Sequence, residues 1–271
     1  MYLNTAEKLK YPLTHIHPDA QIAEGVEIDP FVTIKGDVVI ESGCWIGSNA
    51  VIQDGARIGK NTKIFPGAVI SSIPQDLKYA GEYTLCEIGE NCNIREFATI
   101  NKGTSHSNTT KIGNNTLVMA YAHVAHDCFL GDNVILANAV NLAGHVIIDD
   151  YAIVGGMSAV HQFVRIGRNS ILQGGSLVGK DVPPFTKGAR HPLAYAGINT
   201  VGLRRASFDE ATILQIQNIY RIMFVMGKNV TSALKQIEAE IPQSAIRDEI
   251  LDFVKSSSRG IMKGYAAGGN E

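Results

Sequence analysis

Residues 15–70 read HIHPDAQIAEGVEIDPFVTIKGDVVIESGCWIGSNAVIQDGARIGKNTKIFPGAVI. Isoleucine stands at Ile16, Ile22, Ile28, Ile34, Ile40, Ile46, Ile52, Ile58, Ile64 and Ile70, ten in succession at one spacing of six. Aliphatic residues keep that register at Ile88, Ile94 and Ile100 and from Ile112 to Val178, and it fails only at Asp76, Glu82 and His106. A fixed internal period decides architecture before any single residue is interpreted. An amphipathic helix would repeat its apolar residues near 3.6, so this ladder points to short strands separated by turns.

A line of small residues follows four places behind the ladder, as at Ala20, Val26, Val32, Cys44, Ala50, Ala98, Ala122 and Cys128. Glycine and asparagine cluster between, at Gly47, Gly59, Gly89, Asn61, Asn91 and Asn133, where turns demand unusual backbone angles. The pattern resembles that of the hexapeptide-repeat transferases. That likeness implies a left-handed parallel β-helix with three hexads per turn, so that residues eighteen apart stack at a rise of about 4.8 Å. Mainly β structure with a C-terminal α-helical domain is therefore expected.

The chain has 271 residues and a net charge of −2, enough for one elongated repeat domain and a modest appendage. Its balanced charge gives no support for nucleic-acid binding. No apolar leader and no long apolar run occur, so stable membrane insertion is not expected and a cytoplasmic protein is. Cys44, Cys92 and Cys128 fall in the small-residue line and read as interior packing; Cys86 reads as a loop residue.

Residues 1–190 read as the β-helix domain, with 1–14 as a lead-in, the coil itself from about His15 to Val182, and loops at 71–87 and 101–111 where the ladder fails. Such loops on a rigid scaffold often carry function. Pro183-Pro184 ends the coil, and residues 185–206 read as irregular. Residues 191–271 form the helical domain. Ser207-Phe208-Asp209-Glu210 has the form of a capping box opening a helix to about Met226. Further helices are expected near 231–240 and 244–256, and a frayed tail at 264–271.

Four histidines lie close in sequence: His123, His126, His145 and His161. Positions 126, 144 and 162 stack in the implied register, gathering His126, Gly144-His145 and His161-Gln162 at one corner of three coils. Scattered hydrophilic turn residues would rarely align so. Imidazoles on adjacent turns could ligate zinc, yet no further Cys or carboxylate ligand is placed, and no metal or cofactor is expected. General-base chemistry is the stronger reading: a neutral imidazole at His126 takes a hydroxyl proton, Asp127 fixes its tautomer, and the Gly144 N–H offers an oxyanion contact.

The stretches Ala122-His123-Val124-Ala125-His126-Asp127, Leu142-Ala143-Gly144-His145 and Val160-His161-Gln162-Phe163 resemble the acyl-[acyl-carrier-protein]–UDP-N-acetylglucosamine O-acyltransferases. So do the loop Gln75-Asp76-Leu77-Lys78-Tyr79-Ala80-Gly81-Glu82, Asp181-Val182-Pro183-Pro184 and Ser258-Arg259-Gly260. The likeness spans nearly the whole chain. It implies a homotrimer with its site between neighbouring coils, acyl carrier protein as 3-hydroxyacyl donor and UDP-N-acetylglucosamine as acceptor in the first step of lipid A biosynthesis. It further implies catalysis by His126, Asp127 and Gly144. Gln75, Asp76, Lys78, His123, His145, His161 and Gln162 would bind substrate, with Asn199 and Arg205 on the acyl or nucleotide side. Gly174 would floor a deep acyl groove. Val201 stands where some members have a carboxylate, and Asn101 where some have histidine. The alternative is another hexapeptide sugar N- or O-acyltransferase of the lipid A or surface-glycan pathway. Its N-acylating branch normally carries an extra N-terminal domain, for which residues 1–14 leave no room.

Overall fold

The computed structural model describes residues 11–227 and 229–264; the expected tail at 265–271 and most of the lead-in lie outside them. The chain forms three sheets, of nine, eight and eleven strands; along the coil each takes every third strand in parallel, and the eleven-stranded sheet gains three later strands beyond the coil's end. The fold is a left-handed parallel β-helix followed by C-terminal helices. Most strands are only two residues long, an outward residue followed by a buried ladder residue. Period-two alternation explains this pairing: the ladder isoleucines and the small residues four places on fill one continuous core.

Strand register confirms the stack of eighteen. His123 pairs with Asn141 and Asn141 with Ala159. At the two breaks the offset grows by whole hexads. Cys86 pairs with Ala56, thirty residues back, and with Thr110, twenty-four ahead. These exceed eighteen by twelve and by six. Two missed hexads and one missed hexad thus leave the coil as loops, and the ladder returns in phase. Strands Val69–Ser72, Leu85–Ile88, Thr99–Asn101 and Thr109–Ile112 take the ends of both expected loops. The excursions are therefore 73–84 and 102–108. Cys86 is accordingly a fully buried strand residue and not a loop residue; burial pushes its thiol up to about 12, as it does that of Cys128.

Most corners turn on a residue in the left-handed region, among them Tyr121, Asn133, Ala139 and Tyr151. This is the cost of a sharp turn between two-residue strands.

Beyond the coil, residues 185–206 are ordered, contrary to the irregular reading. Thr186–Ala189 and Ala194–Ile198 pair antiparallel and extend the third sheet, a hairpin that no six-residue period could reveal. Thr200–Arg205 is a short helix. The next helix is Glu210–Tyr220, capped by Asp209, whose side chain accepts from Thr212 N–H at 2.7 Å. Ser207 is left-handed and does not cap it. The helical path widens to a π-turn over Arg221–Val225. Helices Val230–Glu240 and Ala245–Lys255 follow. They enclose a second core around Leu203, Ile216, Tyr220, Ile237 and Leu251. The buried Tyr220 hydroxyl donates to Pro184 O at 2.6 Å, and Arg168 pairs with Glu249 through two contacts, fastening this core to the coil's end. Among the described residues no helix is long and apolar enough to cross a membrane.

Candidate active site

The histidine column gathers as its spacing requires. His126, Gly144 and Gln162 follow the ladder residues Val124, Leu142 and Val160 by two places. Asp127, His145 and Phe163 follow by three and take the left-handed conformation. The coils are bonded in sequence there, His145 N–H donating to His126 O and Phe163 N–H to Gly144 O. The His126 and His145 rings meet edge to face at 5.0 Å, and Phe163 stacks flat on His145 at 4.5 Å.

His126 is buried, and its Nδ1 lies 2.7 Å from Asp127 Oδ2. An ionised carboxylate accepts only, so Nδ1 carries the proton and Nε2 keeps its lone pair. Asp127 is itself fully enclosed. Thr104 donates to it through N–H at 3.0 Å and hydroxyl at 2.6 Å; Ser107 donates through N–H at 3.3 Å and a short hydroxyl contact. Burial alone would raise its pKa. Hydrogen bonds from Ser107, Thr104 and His126 outweigh that and hold the carboxyl well below the usual carboxylate range. Asp127 N–H in turn donates to the buried Thr110 hydroxyl at 2.8 Å.

Gly144 has a steric reason. A Cβ there would sit 2.5 Å from His126 Cε1 and 2.6 Å from Nε2, so any side chain would drive the imidazole from its place. The N–H groups of His126, Gly144 and Gln162 meet no acceptor among the described residues. The corner therefore presents free backbone donors beside the His126 ring.

The three failures of the ladder all arrive here. Asp76 Oδ2 lies 3.9 Å from His126 Nε2. His106 packs edge-on against His145 at 4.5 Å. Glu82 joins the two loops, accepting from Ala80 N–H at 2.8 Å and Ser105 N–H at 3.1 Å. Asn101, buried, donates to Ile73 O at 3.0 Å and pins the start of the longer loop. Burial and the neighbouring His126 lower the pKa of His123, whose Nδ1 is 2.7 Å from the Thr99 hydroxyl. His145 is lowered by burial first and then by His106 and His126, against the pull of Asp127.

The remaining expected residues divide. Gln75 and Lys78 are exposed on the longer loop, and Lys78 N–H closes a turn onto Asp76 Oδ1 at 2.9 Å. His161 is exposed and Gln162 half-buried on the same column. Gly174 lies on another corner, stacked on Gly156. Asn199 is buried away from the column: its amide donates to Asn169 O at 2.9 Å, and its Oδ1 accepts from Gly202 N–H at 3.2 Å as a helix cap. Arg205 is exposed on that short helix. The residues that sequence reasoning missed are Thr104, Ser107, His106 and Phe163. The third break in the ladder marked the loop that carries the first three, and no motif marked them singly.

Ligand atoms of His126, Asp127 and His145 all lie within 4.8 Å of one another, a grouping that could hold a metal ion. The Asp127 oxygens, however, already accept four donors besides His126, which is the chemistry of an orienting carboxylate. A neutral imidazole so oriented can take a proton from a hydroxyl, and N–H donors left without an acceptor on the same corner can stabilise an oxyanion formed beside it.

Comparison with known proteins shows the family. Residues 181–262 match the family model described as UDP N-acetylglucosamine O-acyltransferase, domain 2, and residues 37–72 and 109–144 match the bacterial transferase hexapeptide repeat. The acyl-[acyl-carrier-protein]–UDP-N-acetylglucosamine O-acyltransferase of Alkalilimnicola ehrlichii is 44% identical over 253 residues, covering 93% of this chain and 98% of that one. The solved structure of the UDP-N-acetylglucosamine acyltransferase of Bacteroides fragilis superposes with a TM-score of 0.91 at 48% identity, covering 93% of this chain and 99% of that one. The Francisella novicida enzyme also gives 0.91, at 36% identity over 96% and 99%. Repeat and relatives agree: this chain belongs to the acyl-[acyl-carrier-protein]–UDP-N-acetylglucosamine O-acyltransferase family.

Proposed function

We propose that the chain moves a 3-hydroxyacyl group from acyl carrier protein to the glucosamine 3-hydroxyl of UDP-N-acetylglucosamine, with His126 as general base. Nε2 takes the hydroxyl proton as the oxygen attacks the thioester carbonyl. The Gly144 N–H receives the oxyanion. Collapse breaks the carbon–sulfur bond, and His126 returns the proton to the leaving sulfur. The observation that carries this reading is the buried Asp127–His126 pair at 2.7 Å beside the free N–H of Gly144. General-base action supplies about 10²–10⁴-fold, and positioning with the oxyanion contact the rest.

Asp76, beside Nε2, suits a contact to the sugar, as do His123 and His145. Gln75, Lys78, His161 and Gln162 suit the sugar and diphosphate. Gly174, Asn199 and Arg205 serve the acyl or nucleotide side. A cytoplasmic homotrimer goes with this reading. The left-handed, exposed apolar residues Phe31, Phe97, Tyr121 and Met157 at the Gly174 corner support association through that corner.

Purified protein, UDP-N-acetylglucosamine and a panel of 3-hydroxyacyl carrier proteins, followed by mass spectrometry, test the assignment: ester product is expected, insensitive to chelator. Gly174→Met should move preference to shorter chains; its Cβ already meets Gly156 O at 3.0 Å. An unchanged profile removes the groove role.

A further inference from the structure

The loop 102–108 does more than leave the coil. Its ends are tied down by Lys102 N–H to Ser72 O, Gly103 N–H to Leu85 O and Leu85 N–H to Asn108 O. A Cβ at Gly103 would lie 2.4 Å from Thr109 N, so the loop closes as tightly as its backbone allows. Within it, Asn108 N–H donates to Thr104 O at 2.8 Å, and His106 N–H to the Thr104 hydroxyl at 3.2 Å. This curl points Thr104 and Ser107 at one target. Thr104 gives both of its donors to the Asp127 carboxylate, spanning its two oxygens, and Ser107 meets Oδ1 through its N–H and through its hydroxyl, whose contact there is shorter than its other one, to Thr109 O at 3.0 Å. Oδ2 is thereby aimed at His126.

We infer that Thr104 and Ser107 are positioning residues for the acyl transfer, fixing Asp127 so that it holds the His126 imidazole in its reactive tautomer and orientation. The inference rests on the reading of His126 as base and Asp127 as its orienter. Neither residue touches the reacting atoms; both act through Asp127. The side chain of Asp127 is wholly buried, and a buried carboxylate with its donors removed is free to turn toward other partners. One is at hand: His145 Nδ1, buried and without a hydrogen-bond partner among the described residues, is 3.8 Å from Oδ2. Loss of the hydroxyls would let Asp127 divide between two imidazoles.

The test compares Thr104→Val, Ser107→Ala and the double variant with the conservative Thr104→Ser and Ser107→Thr, and carries His126→Ala in parallel. Melting curves check that each is folded. Loss of one hydrogen bond to a charged group corresponds to about tenfold or more, so kcat should fall by that factor in each single variant and further in the double. KM for UDP-N-acetylglucosamine should stay within about twofold. The acid limb of kcat/KM should move, because the carboxylate that faces the imidazole is held by fewer donors and is shared with His145. Thr104→Ser should recover most of kcat. Unchanged kcat and a superimposable pH profile in the double variant, with His126→Ala inactive, overturn the inference alone. So does an equal loss in Thr104→Ser and Thr104→Val. Full activity in His126→Ala overturns the underlying reading instead.

Discussion

Two corners of the same coil make opposite use of one turn. At the corner of Glu90, Asn114, Asp132 and Asp150, the last three side chains each close the N–H of the coil before: Glu90 N–H to Asn114 at 2.8 Å, Asn114 N–H to Asp132 at 2.6 Å, Asp132 N–H to Asp150 at 2.8 Å. At the corner of His126, Gly144 and Gln162 the equivalent N–H groups remain free, and the carboxylate, moved one place on to Asp127, faces inward against Thr104, Ser107 and His126. A repeat that satisfies its own donors is scaffold. The same repeat with its donors left free, and its acceptors turned to hold an imidazole, can do chemistry on a ligand.

Variants at the two corners should separate these uses. Asp127→Asn keeps the shape but replaces one acceptor with a donor, and kcat should fall about 10³- to 10⁴-fold, with a lower melting temperature because the amide N–H meets the donors that the buried carboxylate accepts; activity within tenfold of the parent breaks the orienting role. Gly144→Ala places a methyl against the imidazole, and a displacement near 1 Å costs about 10²-fold. Retained kcat there would mean that the ring need not stand where it does. Asp132→Ala, at the other corner, should leave kcat unchanged while lowering unfolding stability by about 1 kcal/mol, as denaturant midpoints would report. A loss of activity with intact stability would erase the contrast between the corners.

The smallest effect is on acid stability. His123 and His145 are held below the ordinary imidazole value, chiefly by burial, so the unfolded chain binds their protons more readily than the fold does. Their contribution is complete above about pH 6.5 and is lost as pH falls toward the folded values. Melting temperature should decline below that pH, and His123→Gln should flatten the decline; an unaltered slope shows that His123 carries none of it.

The coil was legible because its code is local: one aliphatic residue every sixth position is enough to fix strand, turn and stacking. The histidine column followed, since 126, 144 and 162 differ by whole turns. What stayed hidden was whatever the period does not govern. The breaks at Asp76, Glu82 and His106 marked loops, but loops carry no register that would aim Thr104 and Ser107 at Asp127. The hairpin from Thr186 to Ile198 runs antiparallel and has no six-residue signature. Asn199, expected at the substrate, has its polar atoms engaged by Asn169 and Gly202 within the chain, so any substrate contact there must replace or add to them.

The central claim is that His126 is the base. Its most direct test is ester formation on UDP-N-acetylglucosamine by folded His126→Ala beside the parent, measured by mass spectrometry at saturating acyl carrier protein. A fall of at least about 10²-fold, with the melting temperature preserved, is the predicted result. Ester formed at the parental rate would contradict it.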